Sequence, residues 1–223
     1  VTASTSGRAI DAESGSGNVT VNSSATTIHG VSRGIYALTT GAIDIGGNTG
    51  IVSEITGVTG SGSAGIDAEG GTGAVNIRTL ASASMATIAD AAYGILANST
   101  TGGITINSAS QIGSAGAGNG VNVAGILAQS SGSNATGITV NNTANIFVDD
   151  TTTPTYGIAA IGNLTTGNIA INNSGNIDPA DFGLYAQGAG NVSITDSGTI
   201  LGNTGIHAAS LGAGTQTVQV LVT

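Results

Sequence analysis

Two aspartates in the first third of the chain have the residue type and the spacing of a carboxylate pair for general acid–base chemistry. Asp11 and Asp67 occupy the third position of a recurring four-residue signature, and Tyr36 holds that position in the unit between them. If successive units stack at strand spacing, the two carboxylates lie roughly 9–10 Å apart, near the separation used in inverting hydrolysis of a glycosidic bond. An aspartate in a turn-rich repeat is more often a solvated surface residue, so we assign no catalytic residue.

A second pair of acids, Asp149 and Asp150, precedes three threonines in a long polar segment and could offer oxygen ligands to Ca²⁺. No calcium-binding loop pattern surrounds them, so we interpret them as exposed acids of a surface loop. The two histidines, His29 and His207, stand in the first and last units and cannot share a metal ion. The sequence therefore predicts neither a metal nor a cofactor.

The remaining candidates are contact residues at the third position of the signature. From the first unit to the last, that position reads Asp11, Tyr36, Asp67, Leu96, Leu127, Ala159, Tyr185 and His207. Tyr185 beside His207 could stack on a sugar, and two neighbouring leucines would form an exposed apolar pair. The predicted contact surface comprises Tyr36, Asp67, Leu96, Leu127, Tyr185 and His207, together with Asp149 and Asp150.

These residues belong to a repeat that extends over the whole chain. The signature, a small residue followed by Ile or Leu, any residue and Ala, occurs eight times at intervals of 22–32 residues. Each copy is followed by an aliphatic-x-aliphatic triplet such as ITI (104–106), and in most units by a lone isoleucine such as Ile51 or Ile112, which in the third unit comes later, at Ile88. This pattern predicts three short strands per unit, because apolar and polar residues alternate and turn-forming residues separate the strands.

A single unit cannot fold alone. It carries about four large aliphatic side chains, worth roughly 1.5–3 kcal/mol each on burial, against roughly 1–2 kcal/mol of backbone entropy for each of about thirty residues. Stacked units bury continuous aliphatic ladders, and each strand pairs in parallel with its equivalents in the neighbouring units. We predict an all-β domain over residues 1–223, a right-handed parallel β-helix (β-solenoid) of about eight coils with three short strands each.

Two further sets of residues have predicted structural roles. Alternation predicts that three aromatic residues, each two positions before the Ile or Leu of its signature, face the core or a corner: Tyr93, Tyr156 and Phe182. Three asparagines follow the triplet in successive units, where stacked amides can hydrogen-bond into a ladder: Asn107, Asn141 and Asn172.

Composition excludes several classes of partner. The chain has 223 residues, three Arg, no Lys, no Cys and a net charge of −9. Nucleic-acid binding requires clustered cations, and membrane insertion requires a longer apolar run than any present, so we expect neither. The absence of cysteine excludes disulfides and thiolate chemistry. The chain begins at Val1 in mid-pattern, so we expect a fragment of a longer protein.

Eight GIxA…[IV]x[IV]…I units in an acidic chain, free of cysteine and lysine and rich in Gly, Asn, Ser and Thr, resemble the passenger region of bacterial autotransporter proteins and related large surface adhesins. The resemblance covers essentially the whole chain. It implies a non-enzymatic rod outside the cell or on the bacterial cell surface. Such a rod would serve as a stalk or adhesive surface that contacts a cell-surface protein or glycan.

Two alternatives remain open. Parallel β-helices also include polysaccharide lyases and hydrolases, for which Asp11 and Asp67 would be the candidate carboxylates. Neither terminus carries a recognisable polar cap, so the rod could also stack end to end with copies of itself into an extracellular filament.

Overall fold

The computed structural model describes residues 7–88, 91–116, 118–132, 136–149, 154–162, 167–178 and 181–223. These residues form a parallel β-solenoid of about seven turns with three parallel sheets, and they contain no helix. The predicted fold class, an all-β parallel β-helix, is therefore confirmed.

Sheet 1 is built on the signatures, and its eight strands pair in parallel in chain order. The register aligns each signature with the next, for example Ile95 with Ile126 and Ala97 with Ala128. The Ile or Leu and the Ala of each signature point inward and are fully buried from the second coil to the seventh. The strands are β1 (Arg8–Glu13), β4 (Arg33–Thr39), β7 (Gly60–Gly70), β10 (Ala91–Ser99), β13 (Ala124–Ser130), β16 (Tyr156–Gly162), β19 (Phe182–Gly188) and β21 (Thr204–Ser210).

Sheet 2 is built on the aliphatic triplets and also has eight parallel strands. Its aliphatic residues face the same core from the opposite side, and the residue between them faces outward, as in Ile104-Thr105-Ile106. The strands are β2 (Val19–Val21), β5 (Ile43–Ile45), β8 (Val75–Arg78), β11 (Ile104–Ser108), β14 (Gly137–Asn142), β17 (Asn168–Asn173), β20 (Val192–Asp196) and β22 (Val218–Val222).

Sheet 3 has fewer strands than predicted, since we expected one strand in each of about eight coils. It has six strands, and Ile200 continues it only as a single bridge to Ile177. The eighth unit adds no strand to this sheet among the described residues, which leaves about seven turns. The strands are β3 (Thr27–His29), β6 (Glu54–Thr56), β9 (Ser84–Thr87), β12 (Gln111–Ile112), β15 (Ile146–Phe147) and β18 (Ile177–Asp178).

The lone isoleucine marks the third strand in most coils but not in the second and third. There the strands are centred on Ile55 and Met85 rather than on Ile51 and Ile88. All four side chains are buried, so hydrophobicity alone cannot decide which of the two in each coil pairs with the neighbouring strands. The register with the strands of the adjacent coils determines which residue pairs.

Steric contact explains why the signature begins with glycine. A Cβ atom on Gly125 would lie 2.2 Å from Cγ2 of Ile146, in the core, and 2.7 Å from the carbonyl oxygen of Gly157 in the next coil. The equivalent glycines at positions 34, 94, 157 and 183 meet the same two kinds of atom at 2.0–2.6 Å. Because successive coils stack directly on one another, only a residue without a side chain fits at this corner.

Two amide ladders follow sheet 2. The predicted outer ladder is confirmed, since Asn141 Nδ2 donates to Asn107 Oδ1 and Asn172 Nδ2 donates to Asn141 Oδ1, both at 2.8 Å. A second ladder, one residue further along each coil, is buried and was not predicted. There Asn142 Nδ2 donates to Asn173 Oδ1 at 2.8 Å, and Asn173 Nδ2 donates to Asp196 Oδ1 at 2.7 Å.

The buried ladder is incomplete at Ser108, which pairs in register with Asn142. The Ser108 hydroxyl and Asn142 Oδ1 are buried without a hydrogen-bond partner. In Ser108→Asn, the new amide nitrogen could donate to Asn142 Oδ1, as Asn142 donates to Asn173. We expect this variant to raise the free energy of unfolding by about 1 kcal/mol, measured by urea titration, because it satisfies a buried acceptor.

The matched control for this variant is Ser108→Ala, which removes the unpaired hydroxyl without extending the ladder. If the asparagine variant is no more stable than the alanine variant, the extended ladder does not form.

Candidate contact face on sheet 1

The outward face of sheet 1, here called the sheet-1 face, collects most of the large polar and aromatic side chains of the molecule. Three outward positions of each strand align in register along the solenoid axis. All four tyrosines lie on these strands, as do Phe182, His207 and two of the three arginines, Arg8 and Arg33. The face has a charged end in the first three coils, an apolar middle and an aromatic end.

Arg8 organises the charged end at the first coil. Its Nη1 atom lies 3.1 Å from Asp11 Oδ1 and 2.6 Å from Glu13 Oε1. Its guanidinium carbon stands 3.5 Å from the centroid of the Tyr36 ring, in the geometry of a cation–π contact. Tyr36 is only 6% exposed, so this predicted contact residue is largely covered.

Asp67 is a buried ion-pair partner, which corrects our interpretation of it as a solvated contact residue. Its side chain is fully buried, and Arg33 Nε donates a hydrogen bond to its Oδ2 atom. The other carboxylate oxygen, Oδ1, is buried without a partner. Tyr36 and Leu96 flank Asp67 in register and help to cover it. The alternation correctly placed Asp67 on the outward side, but solvent cannot reach it.

Burial raises the pKa values of three groups at the charged end. Desolvation raises the pKa of Asp67, and the hydrogen bond and charge of Arg33 oppose that rise. Partial burial and then the negative charge of Asp67 raise the pKa of Glu69. Desolvation also raises the pKa of Tyr36. The charged end therefore takes up protons more readily when folded than its acids do in an unfolded chain.

The raised pKa of Asp67 predicts a pH dependence of stability. The folded state holds this proton more tightly than the unfolded state, so the contribution of Asp67 to stability is largest at acid pH. That contribution is lost as the pH rises from the ordinary value of 3.8 through the raised pKa. We expect the unfolding free energy of the wild type, minus that of Asp67→Asn, to fall over this window in urea titrations. A difference that grows with pH would contradict the direction of this shift.

The two carboxylates of the enzymatic alternative are not arranged as an accessible pair. Asp11 pairs with Arg8, Asp67 is fully buried against Arg33, and Tyr36 lies between them in register. A glycosidic bond could not approach Asp67 without displacing these side chains. Within the described part of the chain, no group of three or more His, Asp or Glu residues could hold a metal ion.

The apolar middle of the face consists of Leu96 and Leu127, which are neighbours in register on β10 and β13. Both are half-buried rather than freely exposed. The predicted pairing of these two leucines is therefore confirmed, and each keeps part of its surface exposed.

The aromatic end is a cluster of four rings. Tyr156 stacks on Phe182 with ring centroids 5.5 Å apart, and Tyr185 stacks on His207 at 4.6 Å. Edge-to-face contacts join the two stacks, with Tyr185 at 5.3 Å from Tyr156 and 5.4 Å from Phe182. The Tyr185 hydroxyl also donates to Gln187 Oε1.

This cluster corrects the prediction that Tyr156 and Phe182 face the core. Tyr156 and Phe182 are half-buried and contact the outward Tyr185, so they do not lie in the core. A Cβ atom on the glycine between Phe182 and Leu184 would point at the partly buried Ile200, so this glycine faces inward like Leu184 and the simple alternation fails there. Tyr185 and His207 stack on each other, and sugar stacking on this pair stays a prediction.

Asp149 anchors a loop rather than standing free in solvent. Its Oδ2 atom accepts a hydrogen bond from the backbone N–H of Gly120 at 2.7 Å, and its Oδ1 atom accepts from that of Gly118 at 3.3 Å. It therefore fastens the segment after β12 to the next coil, and it is half-buried, which corrects our interpretation of Asp149 as a freely exposed acid; its role as a contact residue stays a prediction. Asp150 lies outside the described residues.

A groove of about 420 Å³ borders the charged end, at the corner where sheet 1 turns toward sheet 2. Its volume lies within the range of small-ligand sites, roughly 300–1,000 Å³. Leu38, which is 37% exposed, and Glu69 line it on the side of the sheet-1 face. The rest of the lining is small and polar, and includes Thr40, Gly71, Asn98 and Thr100.

Sequence reasoning missed the role of the arginines. Arg8 and Arg33 stand two residues before the isoleucine of their signatures, the position that Tyr93, Tyr156 and Phe182 occupy in later units. Cations at that position and acids at the third position of the same unit, as in Arg8 and Asp11, or of the next unit, as in Arg33 and Asp67, are a signal that could have predicted the ion pairs.

Comparison with protein-family models, with curated proteins and with solved structures finds no match for this chain. Among the described residues, no helix is long and apolar enough to cross a membrane. The fold and the face together define the class of this protein as a parallel β-solenoid with one aromatic and charged outer face.

Proposed function

We propose that this protein is a non-enzymatic extracellular β-solenoid, displayed on a bacterial cell surface, whose sheet-1 face adheres to a cell-surface protein or glycan. The concentration of tyrosine and arginine on that face carries the proposal. Tyrosine and arginine are enriched at the energetically important centres of protein interfaces. The resemblance of the whole chain to autotransporter passenger regions supports the extracellular setting.

The outward face of sheet 2 provides the contrast. Its central column consists of small or polar residues without a single aromatic ring: Thr20, Asp44, Asn76, Thr105, Thr139, Ala170, Ser193 and Gln219. Of the six Phe and Tyr residues, five lie on sheet-1 strands and only Phe147 lies on sheet 3. This concentration on one face favours a dedicated contact surface.

Binding assays with matched variants test this proposal. The protein is titrated against immobilised extracellular-matrix proteins and against an array of neutral and acidic glycans. We expect Leu127→Ser combined with Tyr185→Ala to weaken any binding by about thirtyfold, the loss that one interface hot spot carries. The control, Thr105→Ser combined with Thr139→Ser, changes the sheet-2 face and is expected to bind as the wild type does.

Two outcomes would overturn the proposal. Equal losses in the sheet-1 and sheet-2 variants would show that the sheet-1 face is not the contact surface. Turnover of uronic-acid polymers by the wild type, absent in Asp67→Asn, would favour the enzymatic alternative.

End-to-end stacking is a second candidate, favoured by the exposure of β22. Val218, Val220, Leu221 and Val222 are each 46–61% exposed along this last strand of sheet 2. A further coil of a longer chain would cover the same residues. Sedimentation of concentrated protein distinguishes stacking between copies from cover by a further coil. Stacking predicts association that Val220→Asp abolishes. A protein that stays monomeric at all concentrations would contradict stacking.

A further inference from the structure

The segment between β12 and β13 contains Asn119-Gly120, the one Asn-Gly dipeptide in the sequence. Asn119 is exposed, whereas Gly120 is buried. In such a dipeptide no side chain shields the backbone nitrogen of the glycine, so this nitrogen can reach the side-chain carbonyl carbon of the asparagine. The dipeptide is therefore a candidate for spontaneous covalent modification.

Packing explains why glycine occupies position 120. A Cβ atom there would lie 2.8 Å from the backbone nitrogen of Asp149 and 2.9 Å from the carbonyl oxygen of Phe147. Any other residue would push the segment away from the next coil. The solenoid therefore retains the reactive dipeptide as a consequence of its close coil-to-coil contact.

Hydrogen bonds of this segment keep the Gly120 backbone nitrogen from reaching the Asn119 side chain. The Gly120 N–H donates to Asp149 Oδ2 at 2.7 Å, a charge-assisted bond of the strong class. The backbone of Asn119 is held as well, because its carbonyl accepts from the Ser114 N–H at 2.9 Å and its N–H donates to the Gly116 carbonyl at 3.2 Å. The nitrogen must leave Asp149 before it can turn toward the Asn119 side chain.

We propose that Asn119 is a site of spontaneous succinimide formation and that Asp149 restrains the reaction. The Gly120 nitrogen loses its proton to solvent and forms a bond to Cγ of Asn119. The bond from Cγ to the side-chain nitrogen breaks, and ammonia leaves with a proton from solvent. Water then opens the five-membered imide to aspartate or isoaspartate, so the net change is gain of water and loss of ammonia.

The product would weaken the anchor that restrains the reaction. Conversion of Asn119 adds a carboxylate to the segment that Asp149 holds. The new carboxylate and that of Asp149 carry like charges and repel each other at close range. The isoaspartate product also reroutes the backbone through the side-chain carbons. Either product loosens the segment 118–120, which lies shortly before β13 and the Leu127 region of the sheet-1 face.

Peptide mass mapping of the folded protein, aged at mildly alkaline pH, tests the proposal. The readout is the fraction of Asn119 converted to aspartate and isoaspartate over time, compared with the same chain unfolded in urea. We expect slow conversion in the folded wild type and fast conversion in urea. Asp149→Ala should accelerate conversion in the folded state about tenfold, because one charge-assisted hydrogen bond no longer holds the nitrogen.

Two further variants sharpen this test. Asp149→Asn keeps an acceptor oxygen without the charge and should give a smaller acceleration, and circular dichroism confirms that each variant remains folded. Asp178→Ala removes a carboxylate from the next strand of sheet 3 and should convert at the wild-type rate. No acceleration in either Asp149 variant, or no conversion of Asn119 in urea, would overturn the proposal.

Discussion

Replacement of Arg33 by methionine is expected to destabilise the protein by about 3 kcal/mol at neutral pH, because it leaves the Asp67 carboxylate buried without a counter-ion. Asp67 is fully buried, and Arg33 is the cation that hydrogen-bonds to it. Methionine keeps most of the packing volume of the arginine stem, so the loss reports the charge. We expect the low end of the range for broken buried pairs because the Arg33 side chain is 23% exposed. The measurement is the unfolding free energy from urea titration.

The double variant Arg33→Met with Asp67→Asn is the control for this experiment. It removes both charges, so we expect it to recover most of the lost stability. The single variant should also approach the wild type at acid pH, near the ordinary value of 3.8, where the buried carboxylate is protonated. A loss that stays the same at acid pH and in the double variant would mean that packing, not charge, explains the effect.

Substitution of Gly157 by alanine is expected to cost about 3 kcal/mol, the upper end for overpacking a well-packed site. The added Cβ would lie 2.3 Å from Cγ2 of Ile177 and 2.6 Å from the carbonyl oxygen of Gly183. Ile177 is fully buried, and the Gly183 carbonyl belongs to the backbone of the next coil, so neither can move without disturbing the stack. Urea or thermal unfolding measures the change.

The last signature offers a matched control. Gly205 occupies the same position as Gly157, but a Cβ atom there would meet nothing within 4 Å. Gly205→Ala should therefore leave stability unchanged or raise it by about 0.4–1 kcal/mol through the smaller entropy of the unfolded chain. Equal destabilisation by both substitutions would refute the steric explanation of the glycine position.

The fold could be predicted because a repeat applies one local pattern many times. An error in one unit, such as the choice of Ile51 over Ile55, does not change the architecture, because the register of the neighbouring coils corrects it. The core residues of sheets 1 and 2 follow from alternation, and the structure buries them from the second coil to the seventh. The outer ladder of Asn107, Asn141 and Asn172 was predictable for the same reason.

The candidate site was less predictable because contacts between coils determine it. Alternation places Asp67 on the outward side, but only the stacking of β4 on β7 brings Arg33 over it and removes it from solvent. The glycine corner turns Tyr156 and Phe182 outward, against the alternation, and unites them with Tyr185 and His207. Asp149 finds its partners 29 and 31 residues earlier in the chain, in a loop with no pattern of its own.

The sequence by itself determined the all-β class, the parallel stacking and the aliphatic core, because each of these follows from a period that recurs along the chain. Only the tertiary structure decided which outward residues are exposed, which acids are paired and which loop atoms are held. Those properties depend on side chains one coil apart, about thirty residues away in sequence but only about 4.8 Å away along the solenoid axis, a proximity that no local pattern encodes.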